Sequence, residues 1–365
     1  MSRPQPTVAL IITTYFPSSH ADVIGSRLLG EGDYEYEPSV DVVSLYTDQV
    51  AEEDLSRELA AAAGVPIYPT VHQAIAADGH PVDGIVVIGE HGDYPWTADR
   101  QKMYPRRRLH EETLAAMDEL DLAVPVFNDK HFAYDMSDAT WIYRQYMDRN
   151  VPLFGGSSVP MQAQRPPFHP ATLRDVEEIL VVHGGGVESY GFHAMEVLQS
   201  LAEWRSDGET GVAWVEPFEG RGVWDAADRG VWPAELVDDA LAHSRTELAG
   251  SPREAVDVPT LFTVGYEDGT SGYVLNFEDY TSDWLFTCRT ADGDRIAGYY
   301  DTDQGHPHRH FDDLVAAIEE LILTGEPPIP PERTLMTTGL IDLSMAALRS
   351  RERRMTPELG FGYDS

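Results

Sequence analysis

Three short segments of this 365-residue sequence gather side chains that can move protons or hold a ligand. Gly89-Glu90-His91-Gly92-Asp93 follows an apolar run and sets a carboxylate, an imidazole and a second carboxylate together. So polar a set suits the carboxyl end of a parallel strand, where open α/β sheets hold their ligands, and there Glu90, His91 and Asp93 would meet a substrate. The structural alternative is a loop in which Glu90 and Asp93 hydrogen-bond to backbone. Asp129-Lys130-His131 ends a second apolar run, and Lys130 is one of two lysines, the other being Lys102. A lysine there can donate to a substrate oxygen, or act as a base where burial lowers its pKa. Its structural alternative is an ion pair with Asp129 or Glu90. The third segment places His193 after Gly184-Gly-Gly186, at the opening of a predicted helix, where an imidazole can exchange a proton near neutral pH. Tyr190 lies just before it and would share substrate binding or fill a cleft wall.

The same histidines allow a metal reading. Glu90, His91, His131 and His193 could hold a divalent metal for a lyase, isomerase or hydrolase reaction, although 13 histidines make chance groupings easy. His306-Pro-His-Arg-His310 alternates three histidines, but spacing fixes no carboxylate or cysteine partner for them. Arg106-Arg-Arg108 reads as a solvated helix start paired with Glu111 and Glu112, from which one arginine could grip a substrate carboxylate.

The elements that must position these residues alternate. Thr7–Thr13, Val40–Tyr46, Val65–Tyr68, Asp83–Gly89, Val124–Phe127 and Pro152–Phe154 read as buried strands. Helical spacing falls between them at Ala21–Leu29, Glu52–Ala63, Val71–Ala77, Arg108–Leu120 and Ser137–Arg149. This rhythm predicts a Rossmann-type, doubly wound parallel sheet over residues 1–155. The glycines after Phe154 and the segment Arg165-Pro-Pro-Phe-His-Pro170 break the alternation, and Arg165 is a further candidate for binding a polar substrate. Residues 156–330 then read as an α+β domain: a helix at Gly191–Trp204, an open and mostly antiparallel sheet, and helices on one face. Its strands are Gly211–Val215, Thr260–Tyr266, Gly272–Phe277, Asp283–Arg289 and Asp294–Tyr300, with a hairpin turn at Asp268-Gly269. Phe311–Leu323 and Thr334–Arg349 read as closing helices, with residues 331–365 expected to pack back on the first domain. An open sheet would favour a homodimer or homotetramer.

Composition narrows the function. With 62 acidic against 26 basic residues, the net charge of -36 excludes nucleic acid as a general partner and suits a salt-rich cytoplasm or a high-GC genome. No signal-peptide pattern opens the chain, and no apolar run reaches the ~18 residues of a membrane span, so a cytoplasmic location without membrane attachment is expected. Cys288, the single cysteine, sits in an apolar run and reads as a buried hydrophobe.

Val124–Gly156 resembles the part of the Gfo/Idh/MocA (glucose-fructose oxidoreductase and inositol dehydrogenase-like) oxidoreductases that carries their Glu-Lys-Pro motif. Here that motif reads Asp129-Lys130-His131, with the carboxylate shortened, the lysine kept and the proline replaced. Gly184–Glu196 is similar to the family's glycine segment and to the Gly-x-His-x-x-Asp that opens its histidine-bearing helix. Phe311–Glu358 resembles its C-terminal run. The resemblance implies hydride transfer between NAD or NADP and a hydroxyl carbon of a sugar, cyclitol or related polyol. His193 would be the general acid/base, with Lys130 polarising the oxygen and Asp129 beside it contacting the small polar substrate. The family's Gly-x-Gly-x-x-Gly turn is replaced by Thr13-Thr-Tyr-Phe-Pro-Ser-Ser-His-Ala-Asp22. In that place Thr13, Thr14, Ser18, Ser19 and His20 would meet the cofactor, and Asp48 falls where a ribose-binding acid is expected. Ser19-His-Ala-Asp22 also reads as a capping box. Beside the oxidoreductase stand two alternatives, the metal-dependent non-redox enzyme and a non-catalytic ligand-binding relative.

Self-repulsion among the carboxylates should weaken the fold at low ionic strength. The thermal midpoint is expected to rise as KCl is added from about 0.05 to 1 M, over which the screening length shortens from more than 10 Å to about 3 Å. A midpoint that stays flat or falls would mean that the charge is balanced locally.

Overall fold

The computed structural model describes residues 4–205, 208–302 and 308–364. The chain forms two compact units, one of Met1–Thr97, Lys102–Gly156 and Asp303–Leu335, the other of Ala98–Gln101, Ser157–Thr302 and Met336–Ser365.

In the first unit, β1 (Thr7–Ile12), β2 (Asp41–Thr47), β3 (Ile67–Tyr68), β4 (Gly84–Ile88), β5 (Val126–Asp129) and β6 (Leu153–Gly156) make one sheet. Every strand pairing in it is parallel, in the order β3-β2-β1-β4-β5-β6. The unbroken apolar runs of β1 and β4 are buried on both faces, as central parallel strands must be. Crossovers run through α1 (Arg27–Leu29), α2 (Ser56–Ala63), α3 (Val71–Ala76), α4 (Arg106–Leu120) and α5 (Met136–Asp148). The helix expected over 21–29 opens as a π-turn, Ala21–Ser26, before α1. Strand order reverses between β1 and β4, and at such a switch point the loops leaving the two strands part to form a ligand crevice.

The second unit is built on β7 (Gln164–Arg165), β8 (Val176–His183), β9 (Val212–Glu219), β10 (Thr260–Tyr266), β11 (Ser271–Asn276), β12 (Trp284–Thr290), β13 (Arg295–Tyr300) and β14 (Arg354–Met355). Their order is β14-β9-β10-β11-β8-β12-β13-β7, and only β8 with β11 pair in parallel. The expected hairpin at Asp268-Gly269 joins β10 to β11. Strand β8, central in the sheet, was not anticipated; its acidic start, Glu177-Glu178, leaves a pure apolar run of only Ile179–Val182.

The expectation of helices on one face is corrected. Helix α6 (Ser189–Ala202) covers one face, where Gly272 lies against Leu198. Neighbouring residues of a strand point to opposite faces, and Tyr273 and Leu275 pack with Trp224 of α7 (Arg221–Asp228) and Leu236 of α8 (Glu235–Leu241). The second face of the sheet is therefore covered in part by the chain's own helices. A short helix, α9 (Pro252–Ala255), precedes β10.

The C-terminal region also differs from expectation. Helix α10 (His310–Thr324) belongs to the first unit, with Ile322 against Gly84, whereas α11 (Pro331–Ser350) is divided between the units after Leu335. Residues 336–365 group with the second unit instead of the first, because β14 extends its sheet along β9 and Thr356 donates to the carbonyls of Ala213 and Val212. No helix among the described residues is long and apolar enough to cross a membrane.

Candidate active site

Strand β5 delivers Asp129 and Lys130 to the carboxyl edge of the parallel sheet, and β4 delivers Glu90 to the same edge. The Lys130 ammonium donates to Glu90 Oε1 at 2.6 Å, with both side chains nearly sealed from solvent. Lys130 and His91 hold left-handed backbones, at φ 60° and 65°. Such conformations are uncommon outside glycine and concentrate at functional sites. Burial would raise the Glu90 carboxyl, but Lys130 and then His20 outweigh it and hold the group well below the usual carboxylate range. His91 is pushed down mainly by burial. His20 Nδ1 is hydrogen-bonded to Asp129 Oδ2 at 2.8 Å and stands 3.5 Å from Glu90 Oε2. Asp93 lies apart on the surface, where its backbone is bonded to Gln49.

The loop at Asp129–His131 is shaped from beneath. Asn128 Nδ2 donates to the carbonyls of Asp129 and His131, which leaves its Oδ1 to accept from His110 Nε2 at 2.9 Å. Tyr146 Oη lies 2.7 Å from His110 Nδ1 and, with the ring neutral, donates to it. Burial agrees, pushing His110 down to about 4. His131 is buried beside this loop.

The residues assigned to a cofactor divide by what already holds them. Thr13 Oγ1 donates to the Glu90 carbonyl. Ser19 Oγ accepts from the Asp22 and Phe16 amides, so the capping role is realised. Asp22 returns a bond to the amide of Ser18 rather than of Ser19, and also accepts from Ser26 and Tyr34. The anion-attracting start of that helix thus already carries a carboxylate. Asp48 accepts from Tyr46, Tyr94 and Arg108 at 2.6 to 2.7 Å; burial opposes these bonds, and they hold its carboxyl below the usual value. Thr14 is different, since its hydroxyl is buried and has no hydrogen-bond partner among the described residues. An orphaned donor at the end of β1 is what a phosphate or ribose oxygen would satisfy. The switch point thus carries no glycine cradle, and Thr14 there keeps a hydroxyl open to a new partner.

In the second unit His193 lies on the second turn of α6, and its Nδ1 is 2.6 Å from Ser157 Oγ. Ser157 Oγ accepts from the Val159 amide, which orients it. The Trp284 ring meets His193 edge-on at 5.7 Å and lies parallel to Tyr190 and to His183. Tyr190 is half exposed. Arg165, on the edge strand β7, pairs with Asp301 at 3.3 Å.

The metal set expected from sequence is not the one that forms. Among the described residues, the group able to hold an ion is His20, Glu90 and Asp129, with ligand atoms within 4.8 Å of one another. His193 lies in the other unit. His306 falls outside the described residues. Cys288 is fully buried, and burial pushes its thiol up, as a packing residue requires. Sequence reading missed Ser157, Trp284, His110 and the buried state of Arg106; Arg107 and Arg108 do pair with Glu111 and Glu112. No local pattern marks the first three, since each acts through a partner 18 to 101 residues away in the sequence.

No family model matches the chain, and no curated protein matches it either. Its fold is shared with solved structures over nearly full length. These include GenD2 from gentamicin A biosynthesis, in complex with NAD (TM-score 0.63, 13% identity, 96% of each chain). A myo-inositol dehydrogenase from Corynebacterium glutamicum is similar at TM-score 0.58 and 11% identity, over 96% of this chain and 99% of that one. An aldose-aldose oxidoreductase from Caulobacter crescentus, complexed with glycerol, is similar at 0.55 and 14%, over 96% and 100%.

Because His110 is neutral when folded and titrates near 6.5 when unfolded, the unfolded chain binds more protons between pH 6.5 and about 4. His183, also lowered to about 4 by burial, acts in the same sense. Stability should be full above pH 6.5 and fall as pH drops through this window, by up to about 1.4 kcal/mol per pH unit for each histidine. Urea unfolding of wild type and His110→Gln from pH 7 to 4.5 measures this, and an equal slope in the variant would contradict the neutral assignment.

Proposed function

We propose that the chain is an oxidoreductase of the Gfo/Idh/MocA type. In this reading it transfers hydride between NAD or NADP and a hydroxyl carbon of a sugar, cyclitol or related polyol. The observation that carries the reading is likeness of fold over nearly the whole chain to a myo-inositol dehydrogenase, to an aldose-aldose oxidoreductase and to GenD2 in complex with NAD. The nicotinamide, when bound, accepts or returns the hydride. Thr14 is the residue of this chain that would hold it.

The chain's own residues supply the proton chemistry. Lys130 spends one of its three N–H groups on Glu90, and the other two can donate to the substrate oxygen as negative charge develops there. The Glu90 carboxylate holds that ammonium in place at the sheet edge. His193, oriented by Ser157, takes the hydroxyl proton during oxidation and returns it during reduction. Tyr190, parallel to Trp284, offers a half-exposed ring against which the apolar C–H face of a sugar or cyclitol would pack.

The test is steady-state oxidation of a polyol, cyclitol and aldose panel with NAD and with NADP, followed by absorbance of the reduced cofactor. Lys130→Met and His193→Asn should each lower kcat/KM by about 10²- to 10⁴-fold, as loss of a positioned proton-transfer group does. Activity within a few-fold of wild type in either variant would remove that residue from the chemistry. Absence of turnover with every member of the panel would remove the substrate class.

A further inference from the structure

Arg106 opens α4 and is fully buried, yet among the described residues it makes no hydrogen bond and no ion pair. Its Nε, Nη1 and Nη2 are all sealed from solvent without an acceptor. Its one close partner is the Tyr104 ring, whose centroid lies 5.1 Å from the guanidinium carbon. The neighbouring arginines are answered: Arg107 by Glu111 and Asp138, Arg108 by Glu112 and Asp48. In a chain with 62 acidic and 26 basic residues, a buried arginine with no carboxylate in direct contact among the described residues is anomalous, and it feels the Glu90 charge only at longer range. An unpaired buried charge costs several kcal/mol, so the fold keeps this one for something the chain itself does not provide.

The backbone around it points the same way. The 15-residue α4 begins at Pro105 with no side-chain cap and no acidic residue in its first turn. Its free N–H groups and the positive end of its dipole therefore attract an anion and disfavour the three arginines placed there. Gly89 at the end of β4 makes the room: a Cβ there would come within 2.8 Å of the Arg106 side chain. The nearest acid on that strand, Glu90, is committed to Lys130.

We propose that Arg106 and the uncapped start of α4 form a binding site for an anionic group, a carboxylate or a phosphate, carried by the substrate or the cofactor. The planar guanidinium would grip it with paired N–H donors, and the helix amides would complete the shell. As a deepening of the proposed function, this makes acidic sugars the preferred substrates if the group is a carboxylate. If it is a phosphate, it belongs to the dinucleotide.

The experiment compares wild type, Arg106→Met and Arg106→Lys by thermal unfolding in sodium phosphate, sodium acetate and sodium chloride at equal ionic strength. Calorimetric titration with NADPH, NADH and D-gluconate follows. Wild type should be raised by phosphate or acetate by several degrees more than by chloride. Arg106→Met should lose that increment while being no less stable than wild type in chloride, since an unpaired charge has been removed. Arg106→Lys, which keeps the charge and loses the fork, should lose most of it. Affinity should fall at least tenfold in Arg106→Met for the ligand that carries the group, gluconate or the dinucleotides, which separates the two sources. An unchanged anion response in either variant, or marked destabilisation of Arg106→Met in chloride, would overturn the proposal and leave Arg106 a structural residue hydrated by internal water. If no dinucleotide binds wild type but the phosphate response still needs Arg106, the oxidoreductase reading falls and the anion site stands.

Discussion

The edge of the first unit depends on one buried ion pair, Lys130 with Glu90. Taking either charge out of water alone costs several kcal/mol, and the pair repays this because it is short and His20 stands 3.5 Å from the other Glu90 oxygen. The pair joins the ends of β4 and β5. Thr13, reaching from β1 to the Glu90 carbonyl, adds a third strand to the same anchor. His20 bonded to Asp129 adds a second polar contact from the loop that follows β1. The loops of three parallel strands are thus tied near the point where strand order reverses, and Lys130, one of the tying residues, and His91, which follows Glu90, are held in left-handed backbone. A site fixed by interlocking charges tolerates that strain because the pairing around it overdetermines the geometry.

Much of this was legible in the sequence, and the reasons are physical. Buried parallel strands write themselves as unbroken apolar runs, so β1 and β4 were recognisable, and a polar cluster directly after such a run marks the ligand edge. Lys130 and Glu90 were found this way, although which acid the lysine would choose was open between Asp129 and Glu90. Strand β8 escaped because its exposed Glu177-Glu178 shortens the apolar signal below that of its neighbours. Helices α7 and α8 escaped because Gly220, Gly230 and Pro233 break their periodicity into pieces of seven or eight residues. The buried state of Arg106 could not be read at all, since Arg106, Arg107 and Arg108 are identical letters and only the fold decides which one turns inward.

The departures from the glycine-rich turn are chemically coherent. Where that turn would let a backbone approach a pyrophosphate, this chain places Tyr15, whose buried hydroxyl is bonded to Ser26, and Asp22, which organises the loop. A dinucleotide would then be met by side chains, the Thr14 hydroxyl first among them, and by cations of the surrounding edge. A strongly acidic protein gains from concentrating its few cations where an anion must be held, and Lys130 and Arg106 are both buried in this unit.

The most direct test of the central claim, that this edge binds a nicotinamide dinucleotide without a glycine cradle, is calorimetric titration of wild type and Thr14→Val with NADH and NADPH. The fold and the orphaned Thr14 hydroxyl together predict saturable binding of one dinucleotide per chain, weakened by about tenfold in Thr14→Val, as loss of one hydrogen bond to a charged or buried group implies. Binding of neither dinucleotide to wild type would contradict the claim, and equal binding by the variant would move the site away from Thr14.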